Sequence, residues 1–238
     1  VTSGAGAVWD DLVKTAVDKN LQGIECMSGI PGTVGASPIQ NIGAYGQELK
    51  DVFENATVYD VKSRSFRIFS KKECNFSYRE SMFKKPQNKG RYIIIKITLK
   101  LVKNSTPTLT YESLKNNLRE KKIKKPTLQN VRSAVLELRG RKLDDPNVIG
   151  NAGSFFKNPI VDKRTLKRLS RKYPEISYYS ADQKSVKLFA GWLIEKTGWK
   201  GKKYKNTQVS NKNALVITNP EGKATAKEIK ELADKISS

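Results

Sequence analysis

Asn151-Ala152-Gly153-Ser154-Phe155-Phe156-Lys157-Asn158-Pro159 sets a serine, a lysine and an asparagine within five positions, behind two small residues and beside two large aromatics. Ala152 and Gly153 let a ligand or another backbone approach the Ser154 hydroxyl. Phe155 and Phe156 can hold the turn against a core and keep water away. Taken alone, the stretch also reads as a strand end with a surface serine and lysine. What it means depends on the rest of the chain.

The 238 residues suffice for one large or two small domains. No segment has the roughly 20 apolar residues of a membrane span, and no signal sequence opens the chain. The first residue is Val1, inside what reads as a strand, so the chain reads as a fragment. Cys26 and Cys74 are too few for a disulfide framework and fit a reducing cytoplasm. Histidine is absent, which removes His-based triads, imidazole bases and His-containing zinc sites. The net charge of +22 lies entirely beyond residue 60, since residues 1–60 hold three lysines against eight acids. Such a surface draws polyanions, nucleic acid included, although lysines on solvent-facing helix positions mostly confer solubility.

Periodicity predicts a strand end at 1–6 and a helix from Trp9 to about Lys19, with Leu12, Val13, Ala16 and Val17 on one face. Strands follow at 52–60, 65–69 and 91–102, then a basic connector at 103–126. Thr127 caps a helix to about Gly140, and Asp162–Tyr173 repeats the pattern. Ser185 opens a helix ending at Gly198, 213–219 is a short buried strand, and Thr225 with Glu228 forms a capping box. The fold class is therefore α+β in two domains, 1–125 and 126–238, divided within 115–145.

The loop from Gly29 to Gly46 carries Gly29, Gly32, Gly35, Gly43 and Gly46 with Pro31 and Pro38. Successive backbone N–H groups in such a loop can approach a diphosphate, yet it matches neither a P-loop nor a Rossmann fingerprint, and a ligand-free crossover is the alternative. Arg79, between aromatics in Phe76–Phe83, suits a carboxylate or a developing enolate, and equally a structural pair with Glu80. Tyr111 and Lys142 flank the domain junction, a favoured place for ligands. Trp199 beside Lys200 could pack on a nucleotide, but the preceding apolar helix reads more simply as core. Lys121-Lys122-Ile123-Lys124-Lys125 lacks interleaved aromatics and reads as a solvated connector.

Together these segments resemble the UDP-N-acetylenolpyruvoylglucosamine reductases of bacterial peptidoglycan synthesis. The matching pieces, in order, are Gly23–Glu25, Ile30–Gly35, Gln40–Gly46, Tyr78–Ser81, Leu109–Tyr111, Lys142–Pro146, Gly150–Pro159, Ala190–Ile194, Trp199–Gly201 and Ala214–Val216. Ser177-Tyr178-Tyr179 matches the subtype with a long Tyr-bearing segment. The resemblance implies the second half of a FAD-binding (vanillyl-alcohol-oxidase/PCMH-like) fold at 1–125, then an α/β substrate-binding domain. It implies a cytoplasmic, monomeric flavoprotein oxidoreductase of cell-wall biogenesis, hence of cell shape and division, with no membrane or specific nucleic-acid partner. FAD, reduced by NADPH, would pass hydride to UDP-N-acetylglucosamine enolpyruvate to give UDP-N-acetylmuramate.

By resemblance Ser154 is the general acid, polarised by Lys157 or Lys142, and Arg79 stabilises the enolate-like intermediate. Pro31, Gly32, Thr33, Gly35, Ala36, Ser37, Asn41, Gly43 and Ala44 would contact the flavin and its diphosphate. Tyr111, Lys142, Asn158, Tyr179, Lys187 and Lys200 would hold the diphosphate, uridine or NADPH. No metal is implied. The family also has an earlier FAD subdomain and a later Leu-Glu-Pro-Glu-Val segment with a catalytic glutamate. Neither has a counterpart here, so the expectation is weak FAD binding and little turnover. Ser210 and Asn213 stand where the family commonly has His and Gln or Glu. A basic nucleic-acid-binding module and a non-catalytic UDP-sugar binder are the rival readings.

Overall fold

The computed structural model describes residues 1–238, and the chain forms two compact units, Val1–Arg139 and Gly140–Ser238. In the first, an antiparallel sheet runs in the order Thr2–Gly4, Tyr92–Leu99, Phe53–Asp60, Ser65–Ser70. Phe53, Ala56 and Val58 on one strand and Ile97 and Leu99 on the next are buried. They share a core with Trp9, Leu12, Val13, Ala16 and Val17 of the helix Trp9–Asp18. The opposite sheet face leaves Phe66, Ile68, Ile93 and Ile95 exposed.

The strands expected at 52–60 and 65–69 are present almost to the residue, because alternating burial over residues 56–60 and a polar turn agree there. The strand expected at 91–102 ends at Leu99 and resumes only as Val102–Lys103. The basic connector is a correction: it contains the helix Glu112–Glu120. Leu114 and Leu118, one turn apart, pack there on Val131, Val135 and Leu138 of the helix Leu128–Lys142. That longer helix was expected to open the second domain, but residues 128–139 belong to the first unit.

The second unit holds two antiparallel sheets. One runs Lys203–Tyr204, Thr207–Val209, Val216–Asn219, Gly150–Ser154. The helix Ala226–Ser237, opened by the expected Thr225–Glu228 capping box, buries Leu232 and Ala233 with Val209 and Ile217. The other sheet runs Ile160–Asp162, Ser185–Leu188, Tyr178–Ser180. Here lies the second correction, because Ser185 opens a strand and not a helix. Val186 and Leu188 are buried at a period of two, and the strand is hydrogen-bonded on both edges. The helix begins only at Ala190, whose N–H donates to Asn158 Oδ1 at 3.0 Å.

Two carboxylates anchor the first unit. Asp60 accepts from Arg91 Nε at 3.0 Å, Arg91 Nη2 at 2.8 Å and the Lys62 N–H at 3.0 Å. Asp10 accepts from both ends of the Arg132 guanidinium at 2.6 and 2.7 Å, and from the Gly29 N–H at 2.6 Å. The arginine bonds hold both carboxyls below the ordinary carboxylate range. Stabilisation from a depressed carboxyl is complete above its unfolded pKa of about 3.9 and is lost as pH falls through its folded value. The melting temperature is therefore expected to stay level from pH 8 to 5 and to fall below about pH 4. Asp60→Asn should flatten that acid limb, and an unchanged limb would assign it to other carboxylates.

Candidate functional site

In the first unit the loop 31–44 contains no charged residue. The amides of Gly29, Val34, Gly35, Ala36 and Ser37 are spent on acceptors within the chain. Those of Ile30, Gly32 and Thr33 have none, and Pro31, Gly32 and Thr33 are exposed. Gly32 has φ +114°, open to glycine, and a Cβ there would meet nothing within 4 Å. Three free donors on an uncharged, open loop suit an anionic group such as a diphosphate.

Other loop residues serve the loop itself. Ser37 is buried and its Oγ donates to Val34 O at 2.6 Å. Asn41 is buried, donates to Glu48 Oε2 and Ser77 O at 3.0 Å each, and accepts from the Lys50 N–H at 2.9 Å. Both side chains were candidates for cofactor contact; both are used to shape the turn. A Cβ at Gly43 would lie 2.6 Å from Gln47 O, and one at Gly35 would lie 2.6 Å from Ala5 Cβ, so these two glycines allow close chain approach. Ala36 is exposed and Ala44 half-buried.

Arg79 is half-buried at φ +56°, an uncommon conformation for a non-glycine residue. Its Nη2 donates to Gly43 O at 2.9 Å and its guanidinium lies over the Tyr78 ring at 5.3 Å. The structure thus brings Arg79 and the glycine loop together. Tyr111 also meets this loop: its ring packs edge-on against Tyr45 at 5.4 Å.

In the second unit Ser154 ends an edge strand, exposed, opposite Val216, next to an irregularity in the ladder. Gly153 before it has φ +62° and open space around it. The Ser154 hydroxyl has no hydrogen-bond partner in the chain. Asn158 spends Oδ1 on Ala190, and Lys200 pairs with Glu195 at 2.7 Å. Tyr179 and Lys187 stand directly opposite each other across two antiparallel strands, which puts them on one face. Lys142 is exposed at the end of its helix. Asn158, Tyr179 and Lys187 are therefore gathered on or beside one small sheet, while Arg79, Tyr111 and the glycine loop gather in the first unit.

Asp144, which no local sequence pattern marks, accepts through Oδ2 from Ser210 Oγ at 2.5 Å. Ser210 Oγ also accepts from the Lys212 and Asn213 N–H groups at 3.1 and 3.3 Å. The departures at 210 and 213 thus form a self-satisfied turn, with Asn213 Oδ1 accepting from the Leu215 N–H at 3.0 Å. Neither thiol is a nucleophile at neutral pH, since burial pushes Cys74 up to about 12 and raises Cys26 as well. No group of three or more His, Cys, Asp or Glu side chains could hold a metal ion. No helix is long and apolar enough to cross a membrane.

Residues 143–238 match the family described as UDP-N-acetylenolpyruvoylglucosamine reductase, C-terminal domain, and residues 1–67 match an FAD binding domain. The chain is 43% identical over 230 residues to the UDP-N-acetylenolpyruvoylglucosamine reductase of Flavobacterium johnsoniae, covering 96% of this chain and 68% of that one. It is 42% identical over 236 residues to that of Pseudomonas aeruginosa, covering 99% and 69%. For Bdellovibrio bacteriovorus the figures are 44% over 238 residues, 100% and 70%. Among solved structures, the UDP-N-acetylenolpyruvylglucosamine reductase of Thermus caldophilus superposes with a TM-score of 0.68 at 24% identity, over 99% of this chain and 67% of that one. That match establishes a shared fold.

Proposed function

Because this chain belongs to the UDP-N-acetylenolpyruvoylglucosamine reductase family and spans 68% of the length of its Flavobacterium relative, we propose that it serves the reduction of UDP-N-acetylglucosamine enolpyruvate to UDP-N-acetylmuramate in peptidoglycan synthesis, with the chain by itself holding FAD weakly and turning over little. FAD, reduced by NADPH, supplies the hydride when bound. The observation that carries this reading is the uncharged loop with free amides at Ile30, Gly32 and Thr33, tied to Arg79 through Gly43 O.

The chain's own groups divide the work. The loop amides bind the cofactor's phosphates, and the nearby Asp10 carboxylate, at the Gly29 amide, is paired with Arg132. The Arg79 guanidinium, anchored by Nη2 on Gly43 O, meets negative charge developing on the substrate. Ser154 offers an exposed hydroxyl with open space before it, a position for delivering a proton to the substrate carbon. In the second unit Tyr179 and Lys187, facing each other across the strands, bind the diphosphate or uridine, with Lys142, Asn158 and Lys200 as further contacts; in the first unit Tyr111, beside the loop, is a ligand contact. The protein works as a cytoplasmic monomer without a membrane or specific nucleic-acid partner.

Flavin titration of the purified chain tests this reading. Protein fluorescence should quench with saturation as FAD is added, and Gly32→Val should weaken binding at least tenfold, because a branched side chain resists φ +114° and would stand in front of the amides. A chain that is folded by circular dichroism yet shows no quenching even at FAD concentrations on the order of a millimolar would overturn it.

A further inference from the structure

Residues 105–110 connect the strand ending at Lys103 to the helix beginning at Glu112, and they make no backbone–backbone hydrogen bonds. A segment without a ladder is held by side chains and packing alone. Here the hydrogen bonds converge on Thr108. Its N–H donates to Glu25 Oε1 at 2.9 Å, and its carbonyl accepts from Cys26 Sγ at 3.3 Å. Its hydroxyl oxygen accepts from both Gln22 Nε2 and Gln47 Nε2 at 3.0 Å each.

The holders are themselves fixed. Glu25 is fully buried and its other oxygen accepts from the Gly23 N–H at 2.8 Å. Gln47 is 5% exposed and accepts from the Cys26 N–H at 2.8 Å. Gln47 directly follows the glycine loop. One residue earlier, Gly46 stands so close to the 105–110 segment that a Cβ would lie 2.0 Å from Thr110 Oγ1. Three residues beyond Thr108, the Tyr111 ring meets Tyr45 of the loop.

We propose that Thr108 is the positioning residue that fixes Tyr111 against the glycine loop, through the buried Glu25 and Gln47. The proposal rests on the reading of Tyr111 as a ligand contact. Two amide donors share one hydroxyl oxygen, so removing that oxygen frees Gln22 and Gln47 together while the side-chain volume can be kept. Thr108→Val does this, and Thr108→Ser returns the hydroxyl.

The test uses the whole chain labelled with 3-fluorotyrosine, the Tyr111 resonance assigned by its loss in Tyr111→Phe, and uridine diphosphate as the probe ligand. Thr108→Val is expected to shift or broaden the Tyr111 fluorine resonance and to weaken the diphosphate about tenfold, with both restored in Thr108→Ser. A Tyr111 resonance that stays in place in Thr108→Val overturns the positioning role. A moved resonance with unchanged affinity, or a parent chain that binds no uridine diphosphate, leaves the positioning role standing and overturns the ligand role of Tyr111.

Discussion

Ser154→Ala should slow reduction of the enolpyruvyl group by about 10²- to 10⁴-fold while leaving reduction of bound FAD by NADPH within about twofold. The separation follows from where the hydroxyl sits. It is exposed at a strand end, bonds to nothing in the chain, and follows a glycine with open space around it. Removing it leaves no buried donor or acceptor unsatisfied and opens no core cavity, so the stability change should be within about 0.5 kcal/mol. What is lost is a proton source. A serine is a weak acid, so the full effect requires a cationic side chain to polarise it, and Lys157 and Lys142 are the candidates. Single-turnover absorbance at the flavin band, with NADPH alone and then with enolpyruvyl substrate, separates the two half-reactions. Equal loss of both would remove Ser154 from the proton-donor role and make it a binding residue.

Much of this arrangement was legible in the sequence, and the misses share a cause. The hairpin 53–70 was readable because residues 56–60 of one strand alternate in burial and the turn is polar. The strand Ser185–Leu188 was not, because four residues leading straight into an apolar helix give too short a run to separate a period of two from 3.6. The helix Glu112–Glu120 was hidden by its own charge, since only Leu114 and Leu118 mark its inner face. For the site, the family resemblance implied Tyr179 and Lys187 separately, but that they oppose each other is a matter of register. The Thr108 clamp was invisible for a stronger reason. Its partners lie 61 to 86 residues away in sequence, and no local pattern encodes which glutamine meets which threonine.

Trp9→Ala should bring the largest loss of stability, about 3–5 kcal/mol, against the 5–15 kcal/mol typical of a folded domain. The indole is 1% exposed within the core of the first unit, so truncation leaves a cavity that the surrounding sheet cannot fill. It also removes the bond from Nε1 to Met27 O at 3.1 Å, and the orphaned carbonyl lies two residues before Gly29. The backbone of the same residue donates to Gly32 O at 3.0 Å, and Val8 bridges Thr33, so the start of this helix is stitched to the ligand loop. Stability and cofactor affinity are therefore expected to fall together. Urea unfolding should show a lower midpoint at an unchanged slope, and FAD should bind more weakly even where the variant is folded. Trp9→Phe keeps most of the volume and the backbone bond while losing the indole donor. It should lose about 1–2 kcal/mol and retain near-normal flavin affinity. A Trp9→Ala variant that loses less than about 1 kcal/mol would mean that the site collapses without strain. Full stability loss with flavin affinity intact would show that the loop holds its shape independently of the core beneath it.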